Sequence, residues 1–271
     1  MPNSGGVIGE KDASHSAAFW HHAPMDGALS ALPPHERRRL LALGHDDPEE
    51  LARRRLAGEP LQYLEGTAAF TDFDVIVDSR VLIPRPETEG LFDLVVRELG
   101  GDSPSVVVEL GTGSGAIAIA LARRFADAAV HATDISEDAL DVARHNARRL
   151  GVDISFHRGD LFAALPGALR GRVDLLVSNP PYVAEHEWKL LPPDVRREPR
   201  AALIAGPRGT EVLERIASGA PEWMAPGGLV ACEIGETQGE VVREAFAALG
   251  DARIRPDLAG CDRYVVVRYE R

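Results

Sequence analysis

A glycine-rich turn flanked by carboxylates is the first feature of the sequence that could hold a ligand. An apolar strand-like run leads into the turn, and a helical pattern follows it. A sharp strand-to-helix turn needs residues without Cβ, and such a turn lets a ligand approach the backbone closely. An aspartate comes 19 residues after the last glycine, at the end of the next strand-like run, where it can accept hydrogen bonds from a ribose. The candidate binding residues are Glu109, Gly111, Thr112, Gly113, Ser114, Gly115 and Asp134.

The spacing and charge of this turn indicate the kind of ligand. Gly111, Gly113 and Gly115 recur at every second position, which differs from the dinucleotide-binding pattern, and no lysine follows them as in a phosphate-binding P-loop. The carboxylate of Glu109 beside the glycines would repel a phosphate. A nucleoside that carries a positive charge fits these residues better, and we predict that the cofactor is S-adenosylmethionine.

A second motif, Asn179-Pro180-Pro181-Tyr182, follows a strand-like run that ends at Ser178. Ligands of open parallel sheets bind at the carboxyl ends of strands, so this motif is predicted to lie beside the cofactor. The Asn179 side-chain oxygen and the Pro180 carbonyl could each accept one N–H of a planar NH2 group and align its nitrogen with a methyl donor. The prolines fix the backbone, and the Tyr182 ring offers a flat surface for the substrate. The motif therefore predicts methyl transfer to a planar nitrogen.

The elements that must position these motifs alternate along the second half of the chain. Strand-like runs are predicted at 105–110, 129–133, 153–157, 173–178 and 227–234, and helices at about 114–125, 136–150, 208–219 and 237–248. Continuous Val and Leu runs are typical of strands buried on both faces, which predicts an α/β fold with a mostly parallel, doubly wound sheet. The runs 252–256 and 263–269 have no helix between them and predict an antiparallel pair at the sheet edge.

The remaining patterns divide the chain into four predicted segments. Residues 1–26 are rich in Gly, Ser, Ala and His and are predicted to be a loose tail. In residues 27–60, leucines recur among Glu and Arg, which predicts a small helical N-terminal domain. Residues 61–86 combine short apolar runs with polar turn pairs and are predicted to form a β-hairpin linker. Residues 87–271 are predicted to form the catalytic domain.

Composition restricts the class of protein. The chain has 271 residues, of which 45% are hydrophobic and 27% charged, as in ordinary soluble globular proteins. The two cysteines cannot form a disulfide scaffold or complete a structural zinc site, and we predict no metal. The net charge of −12 argues against non-specific binding to nucleic acid. The sequence shows neither a membrane-length apolar run nor a secretory signal pattern, so we expect a cytoplasmic protein without a membrane partner.

Several segments together resemble one known family. They are 59–63 (EPLQY), 83–89 (IPRPETE), 109–115 (ELGTGSG), 179–182 (NPPY), 198–199 (EP) and 257–263 (DLAGCDR). With these segments the chain resembles the HemK/PrmC family of protein-(glutamine-N5) methyltransferases, which act on peptide chain release factors. The resemblance runs from about residue 50 to the C-terminus. It implies a class I S-adenosylmethionine-dependent methyltransferase fold of seven strands, preceded by a helical N-terminal domain and a hairpin linker.

The resemblance also implies roles for individual residues. S-adenosylmethionine would be contacted by residues 111–115, Asp134, Phe162 and Asn179. The substrate glutamine amide would be held by Asn179, Pro180, Pro181 and Tyr182, and its approach would be lined by Arg85, Glu87 and Thr88. For Phe162, plain core packing is an equally open interpretation. For Glu233 and Gln238, the sequence does not distinguish the rear of the cofactor cleft from strand-end packing.

Three other functions remain open at this stage. The N-terminal helical region is short for this family and interrupted by prolines, which motivates an alternative in which the same core methylates a small molecule or peptide. Asn-Pro-Pro-Tyr also occurs in adenine-amino methyltransferases, although the acidic charge argues against a nucleic-acid substrate. An inactive cofactor-binding module is disfavoured because both motifs are complete.

Overall fold

The computed structural model of the chain describes residues 27–270. The tail predicted over 1–26 therefore lies outside the described residues. The chain divides into two compact units, one ending at Leu64 and the other starting at Glu65. We retain as a proposal the finer division of the chain into helical domain, linker and catalytic domain.

Short helices build the first unit. The helices are α1 (Ala28–Ala31), α2 (Pro34–Ala42), α3 (Pro48–Leu56) and α4 (Leu61–Glu65). Both α2 and α3 begin with proline, whose fixed φ and missing N–H suit the first helical position. The Asp47 side chain accepts a hydrogen bond from the Glu50 amide (2.9 Å) and so caps α3. The apolar side chains of these helices form a small buried cluster of Ala28, Leu32, Leu40, Leu51, Ala52 and Leu61.

The hairpin is shorter than the sequence pattern predicts. It consists of β1 (Thr67–Phe70) and β2 (Phe73–Ile76), which pair antiparallel. The predicted extent of the hairpin over residues 61–86 was wrong, since residues 61–65 lie in α4 and residues 77–85 belong to no strand, although Val77, Val81 and Ile83 are buried. The reason is that side chains satisfy part of this backbone; for example, the Ile83 amide donates to the Glu198 carboxyl (2.9 Å).

A seven-stranded sheet forms the centre of the second unit. The remaining strands are β3 (Val106–Leu110), β4 (Ala129–Asp134), β5 (Ser155–Arg158), β6 (Val173–Ser178), β7 (Val183–Ala184), β8 (Ile204–Gly206), β9 (Met224–Glu233), β10 (Arg253–Pro256) and β11 (Asp262–Arg268). Seven of them form one sheet in the order β10-β11-β9-β6-β3-β4-β5, while β7 and β8 pair separately. In the large sheet only β11 runs antiparallel to its neighbours. The predicted α/β fold with a mostly parallel sheet and a C-terminal antiparallel pair is confirmed.

Helices connect the parallel strands and cover the sheet. They are α5 (Pro86–Leu99), α6 (Ala116–Arg124), α7 (Glu137–Leu150), α8 (Glu211–Trp223) and α9 (Gly239–Phe246). The Ser136 hydroxyl accepts from the Ala139 amide (3.2 Å) at the start of α7, and Gly151 ends that helix in a left-handed conformation (φ 68°). The apolar residues of β3, β6, β9 and β11 are buried with those of α8 and α9 in one cluster. Within residues 27–270, no helix is both long and apolar enough to cross a membrane.

Candidate active site

The order of the strands brings the two sequence motifs together. From β3 the chain continues outward through β4 and β5, and then returns to form β6 on the other side of β3. In open α/β sheets, ligands bind in the crevice at such a switch point. The last residues of the two strands, Leu110 and Ser178, are paired in register, and the Ser178 hydroxyl donates to the Leu110 carbonyl (2.7 Å). The glycine turn and the Asn-Pro-Pro-Tyr motif therefore leave the sheet side by side.

The glycine turn depends on backbone conformations that other residues rarely adopt. Gly111, Gly113 and Gly115 all have positive φ (74°, 54° and 84°). A Cβ on Gly115 would lie 3.1 Å from the Cβ of Ala143 on α7, so this glycine also allows close helix packing. Nothing lies within 4 Å of the corresponding Cβ positions at Gly111 and Gly113. The backbone of the turn is thus open to a ligand.

The carboxyl of Glu109 lies beneath this turn. Its side chain is buried (1% exposed), and one oxygen accepts from the Thr112 hydroxyl (2.5 Å) and from the Ala118 amide (3.0 Å). Burial raises the pKa of Glu109 to about 8. The side chain ties the end of β3 to the turn and to the first turn of α6, as expected for a residue that orders the loop.

Asp134 connects the same turn to the end of β4. Its carboxylate accepts from the Gly113 amide (2.9 Å) through one oxygen and from the Ser136 amide (2.9 Å) through the other. Burial raises the pKa of Asp134 as well. Each oxygen has further acceptor capacity, so the predicted contact with a ribose diol is compatible with these bonds and stays a prediction.

A cavity above the turn joins the two motifs. Its lining consists of Leu82, Pro84, Thr88, Glu109, Gly111, Thr112, Gly113, Ser114, Ala116, Ile117 and Asn179. Among the described residues that line it there is one carboxyl group and no basic side chain, so the cavity offers a phosphate no cationic partner. The residues present fit the positively charged nucleoside that the sequence predicts.

The side chains of the acceptor motif point in defined directions. The Asn179 Nδ2 donates to the Thr88 hydroxyl (2.9 Å). Among residues 27–270, no donor is hydrogen-bonded to the Asn179 Oδ1, which leaves this oxygen to accept from a substrate. The Tyr182 hydroxyl donates to Glu233 (3.1 Å), and burial raises the pKa of this tyrosine. The backbone carbonyl of Tyr182 accepts from the Gln238 side-chain Nε2 (2.8 Å), so both the hydroxyl and the backbone of Tyr182 are anchored.

Comparison with known proteins places this site in a family. The chain matches the family model "Methyltransferase small domain" over residues 92–191. It is 44% identical over 239 residues to the release factor glutamine methyltransferase of Bordetella pertussis, with 84% of this chain and 88% of that protein covered. It is also 44% identical over 215 residues to the release factor glutamine methyltransferase of Moorella thermoacetica, with 78% and 75% covered. The chain belongs to the release factor glutamine methyltransferase family.

This membership confirms the family resemblance and the enzyme class predicted from the sequence. A solved structure of a methyltransferase from Pyrococcus furiosus has the same fold, with a TM-score of 0.54 at 20% identity over 74% of this chain and 91% of that one. The predicted class I methyltransferase fold is confirmed accordingly.

Two residues that the family resemblance implicates have other partners in this structure. The Phe162 ring stacks on Trp223 with 6.0 Å between ring centroids, and a Cβ on Gly219 would lie 2.6 Å from it. These contacts correspond to the core-packing interpretation of Phe162, and its contact with the cofactor stays a prediction. The Arg85 guanidinium forms an ion pair with the buried Glu198 carboxyl. Contact of Arg85 with a substrate likewise stays a prediction.

The sequence did not single out Asn146, which supports the site in this member of the release factor glutamine methyltransferase family. Asn146 is fully buried on α7, and its amide bonds to Ser114 in the glycine turn and to Ile76 in the hairpin. The sequence does carry a signal for this role, because Asn146 is a polar residue on the otherwise apolar face of α7. A buried side-chain amide usually forms hydrogen bonds with buried backbone groups. For Glu233, whose role the sequence left open, the structure shows that it accepts from the Thr88 and Tyr182 hydroxyls.

Proposed function

We propose that this protein transfers the methyl group of S-adenosylmethionine to the side-chain amide nitrogen of a glutamine in a peptide chain release factor. The observation that carries the proposal is the position of Asn179, whose side-chain oxygen is available at the switch point beside the glycine turn. Identity of 44% with two release factor glutamine methyltransferases supports the same acceptor. The cytoplasmic location expected from the sequence is part of this proposal.

The cofactor would be held by the glycine turn and the acids that order it. Residues 111–115 offer exposed backbone, Asp134 offers carboxylate oxygens for the ribose, and Glu109 lies below the turn. When bound, S-adenosylmethionine supplies a methyl group on a positively charged sulfur, which departs as a neutral thioether. Because Glu109 is buried and has a raised pKa, a bound cation would favour its ionised form.

The acceptor nitrogen requires help from the protein because an amide lone pair is delocalised and weakly nucleophilic. In the proposed mechanism, the Asn179 Oδ1 accepts one N–H of the glutamine and the Pro180 carbonyl accepts the other. Two fixed acceptors orient the nitrogen toward the methyl group and stabilise the positive charge that develops on it. After transfer, the methylated amide nitrogen carries a positive charge and is strongly acidic, so it releases one proton to water and needs no strongly basic side chain.

Space for the rest of the acceptor lies next to Tyr182. A groove of about 670 Å³ starts at this residue and continues past Leu190, Gln238 and Val241. Leu190 and Val241 are large apolar side chains that are 80% and 53% exposed. We assign this groove to the polypeptide that flanks the target glutamine, because it is continuous with the acceptor motif.

The test is methyl transfer to purified release factor. The protein is incubated with isotopically labelled S-adenosylmethionine and a release factor, and the labelled peptide is identified by mass spectrometry. We expect one methyl group on one glutamine, and loss of the label when that glutamine is replaced or when the enzyme carries Asn179→Ala. Binding of the cofactor without label on any release factor, together with label on an extracted small molecule or nucleic acid, would overturn the assignment of the acceptor.

A further inference from the structure

A buried carboxyl, Glu233, contacts the acceptor motif through the Tyr182 hydroxyl. Glu233 is the last residue of β9 and is 1% exposed. One of its oxygens accepts from the Thr88 hydroxyl (2.9 Å), and the other accepts from the Tyr182 hydroxyl (3.1 Å). Both donors belong to other elements, Thr88 to the first turn of α5 and Tyr182 to the acceptor motif. Glu233 therefore links α5 to the segment that holds the substrate.

The Thr88 hydroxyl connects this carboxyl to Asn179. A hydroxyl has one proton to donate, and an ionised carboxylate can only accept. Since Thr88 gives its proton to Glu233, it can only accept from Asn179, and it does so from the Nδ2 at 2.9 Å. This direction places the amide nitrogen of Asn179 toward Thr88 and its oxygen toward the opposite side.

We propose that Thr88 and Glu233 are positioning residues that hold the Asn179 amide with its oxygen toward the acceptor glutamine. The inference rests on the proposed function, in which the Asn179 Oδ1 accepts an N–H of the substrate. An amide turned by 180° would present its NH2 to the NH2 of the substrate, and two donors repel each other. We call the hydrogen bonds that run from Asn179 through Thr88 to Glu233 the relay. The relay thus selects the productive orientation of the Asn179 side chain over the unproductive one.

The ionisation of Glu233 controls the direction of these hydrogen bonds. Burial raises the pKa of Glu233 to about 7. The charged groups that face it are Arg263 on β11, which favours the ionised form, and Glu87 on α5, which opposes it; the phenols of Tyr182 and Tyr264 face it as well. A protonated Glu233 can donate to Thr88, and Thr88 can then donate to the Asn179 oxygen, so the amide is free to turn. We therefore expect the rate of methyl transfer to rise with pH through about 7.

Substitution of Thr88 tests the relay. Thr88→Val keeps the shape of the side chain and removes the hydroxyl, and we expect kcat at saturating cofactor to fall by about 10- to 100-fold. Thr88→Ser restores the hydroxyl and is expected to recover most of the loss. Thr67→Val, the same chemical change in the hairpin, is the matched control. Wild-type kcat in Thr88→Val would overturn the proposal.

Glu233→Gln provides readouts that a purely structural role would not change. The variant cannot ionise, so the rise of kcat through about pH 7 should disappear. In the absence of cofactor, the fall in Tm between pH 6 and pH 8 should be smaller than in the wild type, because a buried charge no longer forms. If Thr88→Val does not fold, the pH dependences of kcat and Tm in Glu233→Gln test the proposal instead. If kcat of Glu233→Gln still rises with the same midpoint pH as in the wild type, the relay is refuted. Absence of methyl transfer by the wild-type enzyme would instead refute the proposed function.

Discussion

Asn146 joins three segments of the second compact unit, and its replacement tests how the site is supported. The side chain is fully buried on α7. Its Oδ1 accepts from the Ile76 amide (2.8 Å), and its Nδ2 donates to the carbonyls of Ile76 (3.0 Å) and Ser114 (2.9 Å). Both N–H groups and the oxygen of one side chain therefore connect the hairpin and the glycine turn to α7.

The replacement Asn146→Leu keeps the branching and the number of heavy atoms of the side chain and removes all three hydrogen bonds. It leaves the N–H and C=O groups of Ile76 and the C=O group of Ser114 without this partner. A buried backbone group without a partner costs about 1 to 3 kcal/mol. Because Ile76 is half-buried and water can reach part of it, we take the low end for each group and expect a loss of about 3 kcal/mol in the free energy of unfolding. This is a large part of the roughly 5 to 15 kcal/mol that stabilises a typical domain.

Urea unfolding of the two proteins measures this loss, and calorimetric titration with S-adenosylmethionine measures its effect on the site. We expect weaker cofactor binding as well, because the Ser114 carbonyl belongs to the glycine turn. His145→Ala, an exposed position on the same helix, serves as the control and should change neither quantity. A loss of less than about 1 kcal/mol in Asn146→Leu, with unchanged cofactor affinity, would refute the reasoning that these hydrogen bonds hold the turn in place.

Three further predictions concern the turn, the buried ion pair and the groove. Glu109→Leu removes the carboxyl that accepts from the Thr112 hydroxyl and the Ala118 amide. We expect the cofactor dissociation constant, measured by calorimetric titration, to rise at least about tenfold. An unchanged constant would contradict the role of Glu109 in ordering the glycine turn. Arg85→Ala leaves the buried Glu198 carboxyl without its cationic partner, which raises the pKa of that carboxyl further. The free energy of unfolding should therefore fall by about 2 kcal/mol at pH 8 and by less at pH 5. Equal losses at both pH values in urea unfolding would argue against this role of Arg85. Leu190→Asp should raise KM for release factor at least about fivefold without changing cofactor affinity. The control Leu258→Asp, at another exposed apolar position, should change neither quantity. Equal KM values for Leu190→Asp and the wild type would exclude the groove as the docking site.

Local patterns determined most of the fold and the place of the two motifs. The strand-like runs and helical periodicities depend only on neighbouring residues, and the strands of the large sheet and the helices between them lie close to the predicted ranges. The glycine turn and the Asn-Pro-Pro-Tyr motif both follow strands, and ligands of open parallel sheets bind at the carboxyl ends of strands. Their proximity could therefore be predicted without knowledge of the strand order. The hairpin was less predictable, because side-chain hydrogen bonds replaced strand pairing after Ile76.

The tertiary structure alone decided which buried polar groups are partners. Thr88 and Glu233 lie 145 residues apart, and Asn146 lies 70 residues from Ile76. It also decided that Phe162 packs on Trp223 and that Arg85 pairs with Glu198. Sequence periodicity shows that a residue faces the interior, but a buried hydrogen bond also needs a partner within about 3 Å and in the right direction. Only the packed arrangement of distant elements supplies that distance and direction.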